Sequence, residues 1–211
     1  MTVERLVDAV LFDLGNVLVG WDPFLPYLGR YPRAQVERFF ATIDFMAFND
    51  EQDAGRTWAD AREALDRTHP GYVPMLDVYI ANFADSVTGD MPGAARLVAD
   101  VKAAGVQTFG LTNWSAETFH VALQKTTVVG TLTDVVVSGR EKIAKPDPRV
   151  FDLAVSRFGL DPARTLFTDD AERNARVAAG RGFRTHHFEG PAGLRARLRA
   201  LGVDVPVEAA T

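Results

Sequence analysis

The 211-residue chain is 47% hydrophobic and 24% charged, carries a net charge of −5 and contains no cysteine. This is enough apolar sequence for one sizeable core, and it excludes disulfides, thiolate zinc sites and a cysteine nucleophile. An acidic balance without a basic run gives no reason to expect nucleic acid or an anionic membrane surface as partner. No uncharged apolar window of about 18 residues is present to span a bilayer. Glu4, Asp8 and Asp13 interrupt the first apolar stretch, so no signal peptide is expected and a cytoplasmic protein is the reading.

The first element is "AVLF" at 9–12, four apolar residues that close on Asp13 and run into Leu14, Gly15 and Asn16. Short, non-alternating apolar runs of this kind predict strands covered on both faces. From 21 to 89 no convincing strand follows. "RAQVERFFATIDFMAF", "TWADAREALDRTH" and "VPMLDVYIANFADSV" predict amphipathic helices, with Pro70, Gly71 and Pro74 between the last two. Strand–helix alternation begins near residue 90. It comprises a helix at 92–105, strands at 106–111 and 134–137, a helix at 147–159, a strand at 165–167, a helix at 170–182, a less apolar strand at 183–188 and a terminal helix at 194–201. Alternation of this kind predicts an α/β fold, a Rossmann-like three-layer α/β/α core with a parallel sheet and right-handed crossovers. The core is expected over 1–20 and 90–211, and a small all-helical cap over 21–89. Leaving from the end of the first strand, such an insertion lies over the carboxyl edge of the sheet, where ligands of open α/β sheets bind.

Four strand ends carry unusual chemistry: Asp13, then Thr112 and Asn113, then Lys145 a little beyond the third strand, then Asp169 and Asp170. In a parallel sheet these groups converge on one edge. Several carboxylates there repel one another unless a cation sits among them. Oxygen ligands of this kind suit Mg²⁺. A hydroxyl and an ammonium beside them complement a phosphate dianion, and a free carboxylate can form an acyl-phosphate. Each residue taken alone has a plainer reading. Asp13 is a turn former, Thr112 and Asn113 make a turn or cap, Lys145 is a solvated cation, and the two aspartates cap the next helix. Their joint occurrence outweighs those readings and points to Mg²⁺-assisted phosphoryl transfer. His69, His120, His186 and His187 show no metal-ligand spacing.

The stretches "FDLGNVL" (12–18), "GLTNWS" (110–115), "KIAKPDPRVF" (142–151) and "LFTDDAERN" (166–174) resemble, in order and spacing, the four motifs of the haloacid dehalogenase superfamily, in the subgroup with a small helical cap. The resemblance implies that Asp13 is the nucleophile and that Thr112 donates to the transferring phosphoryl group, with Asn113 beside it. It implies that Lys145 balances charge on nucleophile and phosphate. Asp170 is implied as a direct Mg²⁺ ligand together with Asp13 and the Gly15 carbonyl, and Asp169 as a second ligand or an outer partner. The implied substrate is a small phosphorylated metabolite, such as a sugar phosphate.

Gly15 departs from the pattern. Most phosphatases that the chain resembles have a second aspartate there, which protonates the leaving oxygen and then activates water. Three readings follow. The first is a phosphatase with a good leaving group, or with a proton supplied by the cap or a water. Superfamily members with Asp-Leu-Gly-Asn at this place are sugar-phosphate phosphatases. The second is a 2-haloacid dehalogenase, which expels a stable halide and needs neither acid nor metal, but whose fourth motif lacks the paired aspartates. The third is a non-enzymatic member that binds a phosphorylated ligand or a partner. Substrate contacts are expected from Trp114, from Trp21, and from among Asp22, Phe45, Phe48, Asn49, Glu51 and Trp58. Of these, Phe45, Phe48 and Trp58 fit the core of a small bundle equally well.

Overall fold

The computed structural model describes residues 4–207, so the outermost residues of the expected core, 1–3 and 208–211, lie outside it. β1 (Ala9–Phe12) is buried along its whole length. Val10 and Phe12 pack into one apolar cluster, and Ala9 and Leu11 into another on the opposite face. A strand covered on both sides shows no polar face, which is why its sequence is a continuous apolar run. Burial of each large side chain here contributes roughly 1.5–3 kcal/mol.

After β1 the chain leaves the sheet. β2 (Val19–Trp21) and β3 (Val87–Asp90) pair antiparallel. Between them lie α1 (Arg33–Ile43), α2 (Phe45–Asp53), α3 (Trp58–Thr68), α4 (Val73–Ala81) and α5 (Phe83–Ser86). Two corrections to the sequence reading follow. The insertion is not purely helical, because Trp21 and Val87 belong to a two-stranded ribbon at its root. Each strand finds its partner at the far end of the insertion, so no local periodicity marks it. The helix expected over 33–48 is also two helices. Asp44 adopts a left-handed φ of 48°, which ends α1, and its carboxylate accepts from the Ala47 N–H to start α2.

The chain then completes the core with α6 (Ala94–Ala103), β4 (Gln107–Thr112), α7 (Phe119–Lys125), β5 (Val135–Val137), α8 (Ser138–Glu141), α9 (Pro148–Phe158), β6 (Thr165–Asp169), α10 (Glu172–Gly180), β7 (Arg184–His187) and α11 (Pro191–Ala200). The five-stranded sheet has the order β5-β4-β1-β6-β7, and every neighbouring pair is parallel. Helices α6 and α11 cover one face through Leu97, Val101, Leu194 and Leu198. Helices α9 and α10 cover the other through Val150, Phe151, Ala154 and Ala178. This is the expected three-layer α/β/α arrangement.

Candidate active site

The register of the sheet brings the strand ends together. β1 is central, between β4 and β6, and the Asp13 N–H donates to the Thr168 carbonyl at 2.9 Å. Past Asp13 the chain turns tightly, with the N–H groups of Leu18 and Val19 both donating to the Leu14 carbonyl at 2.8 Å. Asn16 takes a φ of 55° there, a conformation that asparagine tolerates better than most side chains. Gly15, one residue earlier, needs no such freedom. A Cβ at Gly15 meets nothing within 4 Å.

Lys145 is the electrostatic centre. Its Nζ lies 2.8 Å from Asp13 Oδ1 and 2.7 Å from Asp169 Oδ2, and its side chain is 1% exposed. Asn113 holds the Lys145 backbone at both ends of its amide, donating to the carbonyl and accepting from the N–H, each at 2.8 Å. The Lys145–Pro146 peptide is cis. Asp169 is fully buried and richly bonded: Oδ1 accepts from the Ala171 N–H at 2.8 Å, and the Asn174 amide donates to both oxygens at 3.0 Å. Asp170 is exposed beside it. The Thr112 hydroxyl, 1% exposed at the end of β4, makes only a long 3.5 Å contact to the Asn113 carbonyl.

Burial pushes the Asp13 carboxyl upward, with Lys145 opposing and Asp169 and Asp170 reinforcing the shift. The two carboxylates hold the Lys145 ammonium above its ordinary range despite burial. Asp170 is also raised, by burial and then by Asp169. One oxygen from each of Asp13, Asp169 and Asp170 lies within 4.8 Å of the others, and no histidine joins a metal-ligand group among the described residues. Three carboxylates against one ammonium leave two negative charges, which a divalent, oxygen-seeking cation would neutralise. The donor set therefore fits Mg²⁺.

A cavity opens between this edge and the helical insertion. Gly15, Trp21, Asn113 and Trp114 line it, with Asn49 and Trp58 of the insertion. The other expected contacts are engaged elsewhere. Asp22 accepts from the Phe24 N–H at 2.9 Å, Glu51 pairs with Arg56, the Arg56 guanidinium covers Phe48, and Phe45 is core. The sequence reading missed Asp50, Asp53, Ser115 and Thr118, which also line the cavity. Met46, Asn49, Asp50 and Asp53 occupy one face of α2 at helical spacing, and that acidic stripe was the available signal. Asn174, within the fourth motif, was also given no role.

A parallel sheet gathering an acid cluster and a buried lysine at one edge, beneath an inserted helical segment, defines a class of hydrolase. The chain belongs to the haloacid dehalogenase-like hydrolases, whose family profile matches residues 7–182. Protein CbbY of Cereibacter sphaeroides is 24% identical over 197 residues, covering 85% of this chain and 83% of that protein. Acyl-CoA dehydrogenase family member 10 of Mus musculus is 34% identical over 133 residues, but the match spans only 12% of its length and 61% of this chain. (S)-2-haloacid dehalogenase 4A of Burkholderia cepacia is 30% identical over 94 residues, 44% of this chain and 41% of that protein. Among solved structures, a HAD family enzyme from Bacteroides thetaiotaomicron in complex with magnesium and inorganic phosphate shares the fold. The match has a TM-score of 0.68 and 21% identity, and covers 85% of this chain and 93% of that one. L-2-haloacid dehalogenase from Xanthobacter autotrophicus shares it with a TM-score of 0.63 and 18% identity, covering 85% of this chain and 76% of that one. No helix among the described residues is long and apolar enough to cross a membrane.

Proposed function

We propose that the protein is a cytoplasmic Mg²⁺-dependent phosphatase that hydrolyses a small phosphorylated metabolite, of which a sugar phosphate is the form the cavity favours. The observation that carries this reading is the strand-edge cluster of Asp13, Asp169 and Asp170, with Lys145 the one cation paired to it among the described residues. Asp13 attacks phosphorus and becomes an aspartyl-phosphate. Thr112 donates to the phosphoryl oxygens, and Lys145 holds Asp13 in place and offsets its charge. Asp13, Asp170 and the Gly15 carbonyl hold the metal, with Asp169 orienting Lys145 and the loop that follows β6. Mg²⁺, when bound, keeps Asp13 ionised and neutralises phosphate oxygens. Catalysis of this type is mostly positioning and charge neutralisation.

The insertion over 21–89 acts as the cap that selects the organic part of the substrate. Its cavity presents Trp21, Trp58 and Trp114. The indole N–H groups of Trp58 and Trp114 and the Thr118 hydroxyl are buried without partners. The lining includes Asp50 and Asp53 and no lysine or arginine, which favours a neutral organic group.

Two observations favour a 2-haloacid dehalogenase instead: the missing side chain at Gly15 and the similarity to dehalogenase 4A. The acidic cavity weighs against it, since a 2-haloacid brings its own carboxylate. A panel of phosphate esters and a panel of 2-haloacids, each run with Mg²⁺ and with chelator, decides the matter. Phosphate release that needs Mg²⁺ and vanishes in Asp13→Asn supports the proposal. Halide release in chelator overturns it in favour of the dehalogenase. Binding of a phosphorylated ligand with neither release overturns it in favour of a non-enzymatic member.

A further inference from the structure

Three buried acids stand out among the described residues: Asp13, Asp53 and Asp169. Two of them share Lys145. Among the described residues, Asp53 has no cation within salt-bridge distance. A buried carboxylate without a counter-charge is costly, and locally costly choices concentrate at functional sites. Asp53 closes α2 on the acidic stripe that faces the cavity, and it lines that cavity together with Gly15, Asn113 and Ser115. We infer that Asp53, reaching the cavity from the helical insertion, is the general acid and base that the bare Gly15 cannot be, an assignment that rests on the phosphatase reading above.

The carboxyl is held as a proton carrier must be. Asn49 Nδ2 donates to Asp53 Oδ2 at 3.2 Å. The Asp53 carbonyl accepts from the Ser138 hydroxyl at 2.6 Å, and that hydroxyl accepts from the Trp114 N–H at 3.0 Å. The end of α2 is thus tied to the loops after β4 and β5. Gly55 permits the close approach. It has a φ of 103°, and a Cβ there would lie 2.8 Å from Lys142 Cγ and 3.2 Å from the Gly139 carbonyl. The charges that act on Asp53 are Asp50 on its own helix, Asp13 at the end of β1 and Lys145 from the core, with the Ser115 N–H donating. Burial, then Asp50, pushes the carboxyl up to about 7, against the pull of Ser115 and Lys145. Such a group is protonated for part of the time at neutral pH and is suited both to give and to take a proton.

The two steps balance. As a carboxylate oxygen of Asp13 bonds to phosphorus and the ester P–O bond breaks, the departing oxygen takes the Asp53 proton and leaves as the alcohol. Water then attacks phosphorus and gives its proton to the Asp53 carboxylate. The Asp13–phosphorus bond breaks, releasing inorganic phosphate and the free carboxylate, with Asp53 protonated again.

The test uses a series of aryl phosphates with leaving groups from very acidic to weakly acidic phenols. Wild type, Asp53→Asn, Asp53→Glu and the double variant Asp53→Asn/Gly15→Asp are compared with Mg²⁺ present. In Asp53→Asn, turnover should fall by about 10²–10⁴-fold for weakly acidic phenols and much less in the first step for the most acidic ones. With those, phenol should appear in a burst equal to the enzyme concentration, followed by slow turnover, because dephosphorylation also lacks its base. Asp53→Glu should keep part of the activity, and Gly15→Asp should restore the double variant, since the site has room for the side chain. Turnover in Asp53→Asn within about 3-fold of wild type overturns the assignment. So does a fall of equal size across the series with no burst, the mark of a merely structural residue. Absence of phosphate release from every ester in wild type overturns the phosphatase reading itself, and the assignment with it.

Discussion

Replacing Asp53 with asparagine should stabilise the protein above neutral pH and leave it nearly unchanged near pH 4. The ordinary carboxyl value is 3.8, and in the fold burial and Asp50 raise it to about 7. Between these values the folded chain holds a proton that the unfolded chain has released. Unfolding free energy therefore falls as pH rises through that window, by at most about 1.4 kcal/mol per pH unit. Three pH units set a ceiling of roughly 4 kcal/mol. Asparagine keeps the shape and can still accept from the Asn49 amide, but carries no charge to desolvate. In a domain of this size 1 kcal/mol moves Tm by about 2–4 °C, so the ceiling corresponds to roughly 8–16 °C. The assay is thermal unfolding of wild type and variant in chelator at half-unit steps from pH 4.5 to 8.5. The difference in Tm should grow with pH and level off above about 8. A difference independent of pH, or a variant less stable at pH 8.5, refutes the reasoning. Gained stability joined to lost turnover is the trade expected of a residue kept for function.

Lys145→Met leaves Asp13 and Asp169 buried without their shared cation, and should cost about 3–5 kcal/mol in urea unfolding at neutral pH. That loss should shrink as pH falls and Asp13 takes up a proton, because burial holds its carboxyl above the ordinary range. Asn174→Ala removes the amide that donates to both Asp169 oxygens. It should cost about 1–3 kcal/mol by the same measurement. Mg²⁺ should raise Tm, adding about 2.7 kcal/mol at a concentration one hundred times its Kd. In Asp170→Asn the gain should be largely lost; an undiminished rise would place the ion elsewhere.

The core sheet was legible in sequence because β1, β4 and β6 are buried on both faces, so burial leaves a contiguous apolar run that closes abruptly on a polar residue. The cluster at the sheet edge was legible for a related reason. In a parallel sheet the ends of neighbouring strands meet, so Asp13, Thr112 and Asp169 fall together once the strands are recognised. Gly15 was visible as an absence, but not what stands opposite it. Whether a β1 turn lies open to solvent or faces a helix is a matter of packing between segments distant in the chain. The ribbon of β2 and β3 depends in the same way on a partner at the far end of the insertion. The break at Asp44, which separates α1 from α2, rests on one backbone conformation that no helical periodicity records. Asn113 shows the same limit, because only the fold tells that its amide holds the Lys145 backbone. The sheet, its chemistry-bearing edge and the family could all be read from the order of residues along the chain. Packing alone set Asp53 apart from Asp50, since both line the cavity but Asp53 is buried there, and the protonation of a carboxyl depends on its burial and on the charges that surround it.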